Sequence, residues 1–334
     1  MRNLKINDMN AVKTMLGIAL AVPLLVGCSD YEKHPGNPGF PEDNVVRVAA
    51  SVGDVRTRAL TTETLDGFYI SIHNKANSAY CYGYEPFRKV NGEWVSDRQL
   101  FWQNETQPVD IIAVRNVENI PLDAVLYEVK AWQELDKDQS EKSTFDKQDL
   151  LLYEAVDFVP GNGLVNGKLD IPFQHAFSLV YIRIILGTEY NVPFIPTFTP
   201  VESVKITGTY NCATVDFTEF PVAIELETEP LLDDFTKYDI KPYHERFSMA
   251  AATDEHSEDL YACILMPQTI KAGELKVKLE VDEDIYLWTS TADVTLESGM
   301  SYQIDIAAGK DAVASGNITS RAWTETSGGS SEKE

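Results

Sequence analysis

The side chains best suited to catalysis or metal binding are five histidines and three cysteines, spread along the whole chain. No pair of histidines has the H-x-H or H-E-x-x-H spacing of a zinc site, the set being His34, His73, His175, His244 and His256. The cysteines Cys81, Cys212 and Cys263 show no C-x-x-C spacing. No G-x-S-x-G elbow, P-loop or dinucleotide-binding glycine motif follows a predicted strand. The sequence therefore predicts a protein that is not an enzyme and has no cofactor or metal site, although scattered carboxylates can still meet after folding.

The residue types that are suited to catalysis or binding also have structural interpretations. His175 is the one histidine in an apolar context, which favours a hydrogen-bonded core histidine over a catalytic or ligand role. The three cysteines are interpreted as small buried residues, with a single disulfide as the alternative. Aromatic side chains between Tyr80 and Phe87 could stack on sugars, but their strand spacing favours core and cross-strand packing.

A fourth cysteine, Cys28, follows a signal-like segment. Residues 15–26 form an apolar run after a positively charged start, and the run is shorter than the roughly 20 residues of a membrane-spanning helix. The tetrad Leu25-Val26-Gly27-Cys28 resembles the bacterial lipobox, in which the cysteine thiol receives lipid before the chain is cut. We predict a signal peptide over residues 1–27, cleavage between Gly27 and Cys28, and acylation of Cys28, including palmitate, in the outer membrane. An ordinary signal peptide with a chance cysteine is the alternative.

Charge and composition narrow the class of protein. The 334 residues are 44% hydrophobic, which is ordinary for a globular chain. The net charge of −24 repels phosphate backbones, so no nucleic-acid partner is expected. After removal of the signal peptide, the remaining length predicts about two domains.

The folded part begins at Val45, where apolar residues start to alternate with a period of two. Val46, Val48, Ala50 and Val52 share one strand face, and residues 275–281 repeat the pattern. Seven or eight such strands in each half predict an all-β chain of two β-sandwiches. We predict a flexible tether over residues 28–44, domains over 45–165 and 166–323 that meet near the Gly- and Asn-rich stretch 160–168, and a polar tail over 324–334. Residues 169–186 are predicted to form one central strand.

One segment departs from the strand pattern. Apolar residues recur at helical spacing after Pro121, which suits a first helical turn. The spacing predicts a single amphipathic helix that presents Leu122, Val125, Leu126, Val129 and Trp132.

Several short segments, in a fixed order, resemble the fimbrillin family of Bacteroidales, the lipoprotein precursors of surface fimbriae. The segment with most diagnostic value is the strand around Phe173-Gln174-His175-Ala176-Phe177-Ser178. The others are the lipobox, Arg56-Thr57-Arg58-Ala59, Trp94, Phe101-Trp102, the strand VDIIAV, Asp149-Leu150-Leu151, Met266-Pro267-Gln268, Gly299 to Ile304, and Trp323. Together they cover essentially the whole chain.

This resemblance implies two transthyretin-like Greek-key β-sandwich domains, with one short helix in the N-terminal domain. It also implies a surface-exposed outer-membrane lipoprotein that is cut by an Arg-specific protease between Arg58 and Ala59, or alternatively after Arg56. The first strand, residues 45–52, then leaves with the lipid, and a strand of another fimbrillin subunit fills the groove. Other subunits and a host or bacterial surface receptor would be the partners, and adhesion the outcome.

The end of the chain departs from the expected donor strand. Ile318, Ala322 and Trp323 stand among polar residues, whereas a donor should carry alternating bulky apolar groups. Stalk, tip, accessory and anchor roles therefore all remain open. The alternative to a fimbrial subunit is a monomeric, lipid-anchored adhesin that binds a glycan or a protein.

Surface exposure can be tested on intact cells. If the protein lies on the outer face of the outer membrane, added protease should digest it while a periplasmic marker stays whole. Immunoblots of shaved and unshaved cells would measure this. A protein left untouched by protease that removes other surface proteins would contradict the prediction.

Overall fold

The computed structural model describes residues 39–53, 60–118, 120, 124–191, 199–228, 237–250, 254–310 and 318–322. Strands dominate these residues, and the prediction of an all-β chain is confirmed. The elements up to His175 are β1 (Val48–Val52), β2 (Gly67–His73), β3 (Tyr82–Val90), β4 (Glu93–Val95), β5 (Val109–Arg115), β6 (Lys130–Glu134), α1 (Lys142–Gln148), β7 (Leu151–Phe158), α2 (Pro160–Gly163) and β8 (Leu169–His175).

The elements that follow are β9 (Ser178–Leu186), β10 (Val201–Thr207), β11 (Cys212–Asp216), β12 (Ala223–Leu226), β13 (Tyr243–Ser248), β14 (Ser257–Leu265), β15 (Gln268–Ile270), β16 (Lys276–Val281), β17 (Asp284–Thr289), β18 (Val294–Leu296), β19 (Met300–Ala308) and β20 (Ile318–Ala322). Single 3-10 turns lie at Ser78–Tyr80, Leu126–Glu128 and Thr188–Tyr190.

The first core is enclosed by a seven-stranded sheet of order β1-β8-β7-β5-β2-β3-β4. β1 and β4 are the two ends of this strand order. The sheet curls, because Val45, just before β1, forms a bridge with Phe101, which follows β4. Its concave face buries one large apolar cluster, whose biggest members include Phe68, Trp102 and Phe173. The early valines take part as expected, since Val46, Val48 and Val52 are buried and Ala50 packs against the same cluster.

The second core lies between a five-stranded sheet, β13-β14-β9-β19-β20, and a three-stranded sheet, β10-β16-β17. In β16 the predicted alternation is confirmed: Val277, Leu279 and Val281 are buried, while Lys276 is exposed. Val180, Ile182 and Ile184 of β9 face this core. The other face of β9, with Leu179 and Tyr181, enters a third cluster.

That third cluster joins the two halves of the chain. It combines Ile112 and Val114 from the outer face of the seven-stranded sheet with Ile264 from β14. A three-stranded sheet, β12-β11-β6, spans the same junction, because β6 of the first half pairs with β11 of the second. Residues Asn37–Glu334 form one compact unit. The predicted domain boundary between residues 165 and 166 stays a prediction. The chain passes from the seven-stranded sheet to the five-stranded sheet between His175 and Ser178.

The prediction of one strand over residues 169–186 is wrong. Ala176 and Phe177 separate β8, which belongs to the first sheet, from β9, which belongs to the five-stranded sheet. The sequence does not reveal this switch, because the two residues between the strands, Ala176 and Phe177, are themselves apolar and buried and so give no turn signal.

The prediction of a helix over Leu122 to Trp132 is also wrong. Residues 121–123 lie outside the described residues, Leu126–Glu128 form a single 3-10 turn, and Lys130–Glu134 form β6. Ala131 and Gln133 point inward with strand periodicity, and pairing with β11 satisfies the backbone of this segment. In a short apolar segment, helical and strand spacing share several positions, and tertiary pairing decides between them.

The helices of the described part are short. α1 has seven residues and α2 has four, so no helix there is long and apolar enough to cross a membrane. α1 is held by Phe145, whose ring is buried in the third cluster and stacks on Tyr243 at a centroid distance of 5.5 Å.

Substituting Phe145→Ala should therefore lower the free energy of unfolding by about 3–5 kcal/mol, because it removes a fully buried ring from a closed core. The matched variant Lys147→Ala, on the exposed side of the same helix, should change it by less than about 0.5 kcal/mol. Denaturant titrations of both variants measure the difference. Equal stabilities would show that α1 is not part of the core.

Candidate functional site

β1 occupies a groove between β8 and the chain that follows β4. It runs parallel to β8 over five register pairs, from Val48 with Leu169 to Val52 with Phe173. On the other side, the Val46 amide donates to the Leu100 carbonyl at 2.9 Å, and the Trp102 amide donates to the Asn44 carbonyl at 2.8 Å. The segment therefore closes the curled sheet along both of its edges.

The groove is apolar. The inward side chains of β1 meet Ile171 and Phe173 of β8 and Trp102 in the first core. β8 alternates strictly, with Leu169, Ile171 and Phe173 buried between exposed residues. The Trp102 indole N–H is buried and has no hydrogen-bond partner in the part of the chain that the structure describes. Unmet, such a donor costs about 1–3 kcal/mol.

The described residues before and after the segment that follows β1 are joined by one side chain, Thr62. The Thr62 hydroxyl accepts from the Val52 amide at 2.9 Å and donates to the Val52 carbonyl at 3.0 Å. Between these ends lie residues 54–59, which include Arg56, Arg58 and Ala59 and are outside the described residues, as are Gly27 and Cys28. The groove and its anchors thus flank the predicted processing segment in sequence.

A buried Asp–His pair holds the chain just after that segment. Nδ1 of His175 lies 2.7 Å from Oδ1 of Asp149, and both side chains are almost fully buried. The other carboxylate oxygen of Asp149 accepts from the Leu60 amide at 3.1 Å. Asn116 donates to the Asp149 carbonyl at 2.9 Å. The prediction of a hydrogen-bonded core histidine at 175 is confirmed.

Sequence reasoning singled out Asp149 only within a motif and did not find its contact with Leu60. The two residues lie 89 positions apart, and an isolated aspartate before an apolar strand carries no signal for a backbone partner. Thr62 was missed for a similar reason, since a threonine in a polar loop has no distinguishing pattern.

A second Asp–His cluster lies in the five-stranded sheet. The buried Asp259 carboxylate contacts Nε2 of His244 at 2.7 Å and accepts from the hydroxyls of Thr199 and Tyr261. Both hydroxyls donate to the carboxylate, so the acceptor oxygens of this buried side chain are satisfied within the sheet.

The remaining candidates are structural in the described part of the chain. Cys81, Cys212 and Cys263 form no disulfide. Burial raises the pKa of Cys212 to about 11 and that of Cys263 to about 12, which keeps both thiols unreactive near neutral pH. Tyr82, Tyr84 and Phe87 are buried, as expected for core residues, whereas Tyr80 is partly exposed. No group of three or more His, Cys, Asp or Glu side chains among the described residues is placed to hold a metal ion.

Solved structures of other proteins resemble the fold of this chain. A crystal structure of a putative cell adhesion protein from Bacteroides uniformis is similar, with a TM-score of 0.52 and 15% identity, over 85% of this chain and 99% of that one. A putative cell adhesion protein from Bacteroides ovatus gives a TM-score of 0.55 and 10% identity, over 84% and 97%. At these identities the likeness concerns the fold alone. No curated protein matches the sequence.

The sequence comparison is more specific than the structural one. Residues 57–323 match the profile of the family described as fimbrillin-like, which is well over half of the chain. The matched range includes β8, the Asp149–His175 pair, the second core and the third cluster. The chain belongs to the fimbrillin-like family.

Proposed function

We propose that the chain is a structural subunit of surface fimbriae, exported as a lipoprotein on Cys28 and assembled by β-strand exchange in support of adhesion. The position of β1 is the observation that supports this most. β1 is the last strand in the order of its sheet, faces the core with one side, and is followed in sequence by a segment that contains Arg56 and Arg58. Its release would break the pairing with β8 and the bridge between Val45 and Phe101, and would leave the other strand pairings of the sheet intact.

The energetics favour replacement of β1 over an empty groove. Burial of Val46, Val48 and Val52 contributes roughly 5–9 kcal/mol in total, at about 1.5–3 kcal/mol for each side chain. That is comparable to the whole stability of a typical domain, about 5–15 kcal/mol. Loss of β1 would also leave β8 with only two register pairs, both to β7. An incoming strand that restores the apolar contacts and the backbone hydrogen bonds removes both costs.

Processing can be tested by N-terminal sequencing of the protein as it sits on cells, combined with gels of unheated samples. The wild-type protein should begin at Ala59 and give a ladder of heat-sensitive polymers. Arg58→Ala should retain the acylated Cys28 end and lose the ladder, because the first strand stays in its groove. Arg56→Ala is the matched control and should behave as wild type.

The outcomes separate the alternatives. A block by Arg56→Ala alone would move the cut to the bond after Arg56. A ladder from wild-type protein that still begins at Cys28 would overturn strand release. A monomer that begins at Cys28 and forms no ladder would identify a lipid-anchored adhesin instead.

The Asp149–His175 pair would keep the groove in shape after processing. If the chain is cut after Arg58, Leu60 becomes the second residue of the new chain, and its amide is fixed by Asp149. The same pair holds the end of β8, the strand that the incoming donor must meet. We therefore infer that it prevents the new end from fraying into the groove.

Asp149→Ala should lower the free energy of unfolding by about 2–4 kcal/mol, because it leaves two buried partners without an acceptor. It should also reduce polymer formation in protein that is still cut after Arg58. The matched control Asp97→Ala removes an exposed ion pair with Arg88 and should leave both unchanged. Denaturant titration and unheated gels report the two effects. A variant as stable as the control would exclude this role for the pair.

A further inference from the structure

We propose that β17 is a self-recognition edge, through which two copies of this chain pair antiparallel about a twofold axis at Tyr286. β17 ends the three-stranded sheet β10-β16-β17, and no described residue pairs with its outer side. This contact lies at the edge of a sheet that encloses the second core, apart from the groove of β1. It does not depend on strand exchange.

The composition of β17 invites pairing. Its outward side chains Ile285 and Leu287 are 65% and 63% exposed, among the most exposed large apolar residues that the structure describes. Its inward side chains Tyr286 and Trp288 pack against the second core, which holds the strand in place. Its pairing with β16 is continuous, without a bulge. An unbroken, apolar edge of this kind is a template for another strand.

Other sheet edges in the described part are protected. β4, β15 and β18 have three residues each, β12 has four, and β6 begins with Lys130. The registers of β10 and β13 are interrupted by shifts, and β10 and β20 carry Lys205 and Arg321. Short length, irregular register and basic side chains are the means by which proteins block edge pairing. β17 has none of them, which singles it out.

The register of the proposed contact follows from the β16–β17 turn. Asp282 and Glu283 both have positive φ, at 46° and 71°, as in a two-residue type I′ hairpin. Val281 and Asp284 close that turn, so the alternation of antiparallel bonds directs the backbone groups of Ile285 and Leu287 to the free edge. Pairing centred on Tyr286 places Ile285 of each copy opposite Leu287 of the other. Backbone hydrogen bonds form in both of these symmetry-related pairs.

Charge complementarity selects a second copy as the occupant. The acidic turn at Asp282, Glu283 and Asp284 begins β17, whereas Lys276 lies beside its end, opposite Thr289. In the twofold pairing, the acidic turn of each copy lies at the same end as Lys276 of the other, with one strand, β17, between them. Isologous contacts of this type are self-complementary and close at two subunits.

Cysteine cross-linking in cells tests both contact and register. Cells that co-express the full chain as Ile285→Cys and as Leu287→Cys should form a disulfide-linked dimer under mild oxidation. Either variant alone should give at least about tenfold less, because identical positions lie on a diagonal across the axis. A co-expressed pair of Val156→Cys and Val165→Cys, at exposed valines elsewhere, is the control for random collision.

The charged variant Leu287→Lys supplies a second measurement. It should weaken dimerisation of the purified full chain about tenfold in light scattering, while Val156→Lys should not, since only the former puts charge into the paired edge. Disulfide dimers resist heat and yield to reductant, whereas strand-exchanged polymers yield to heat, so failure of one proposal is not read as failure of the other. No cross-link in the mixed pair, or an equal yield in the valine control, would overturn the proposal.

Discussion

β8 has hydrogen-bonded neighbours on both sides, but very unequally: five register pairs join it to β1 and two join it to β7. β1 therefore supplies most of the backbone pairing of β8. Pro172 contributes to this imbalance, because it offers no amide within β8. The closure of the first core consequently depends on β1 in the groove beside β8.

The junction between the halves depends on buried polar groups that replace backbone partners. The buried amide of Gln139 accepts from the Ile264 amide at 2.9 Å and donates to its carbonyl at 3.0 Å, as a neighbouring strand would. Within the second half, Gln268 does the same for Tyr210, with distances of 2.8 and 2.9 Å. Within the first half, Asp149 accepts from the Leu60 amide and contacts His175. Satisfied groups of this kind fix one arrangement of the packed sheets, because any shift leaves a buried donor or acceptor unmet.

The sequence predicted the elements whose pattern is local. The alternation in β16 and in the early valines is visible because a half-buried strand must place polar and apolar side chains on opposite faces. The histidine at 175 was recognised as a core residue from its apolar context. Sequence reasoning failed at residues 122–132, where α-helical spacing competed with a strand that only β11 could stabilise. It failed again at residues 169–186, where one apolar run serves two different sheets.

The sequence by itself determined the all-β class, the apolar faces of most strands and the family to which the chain belongs, because alternation and short motifs are properties of neighbouring residues. Only the tertiary structure decided that β1 closes a groove beside β8, that Asp149 reaches Leu60, and that no described strand pairs with the outer edge of β17. Each of these is a relation between segments far apart in the chain. Such relations depend on which strands become neighbours, and that is settled by the packing of whole sheets and not by any local pattern.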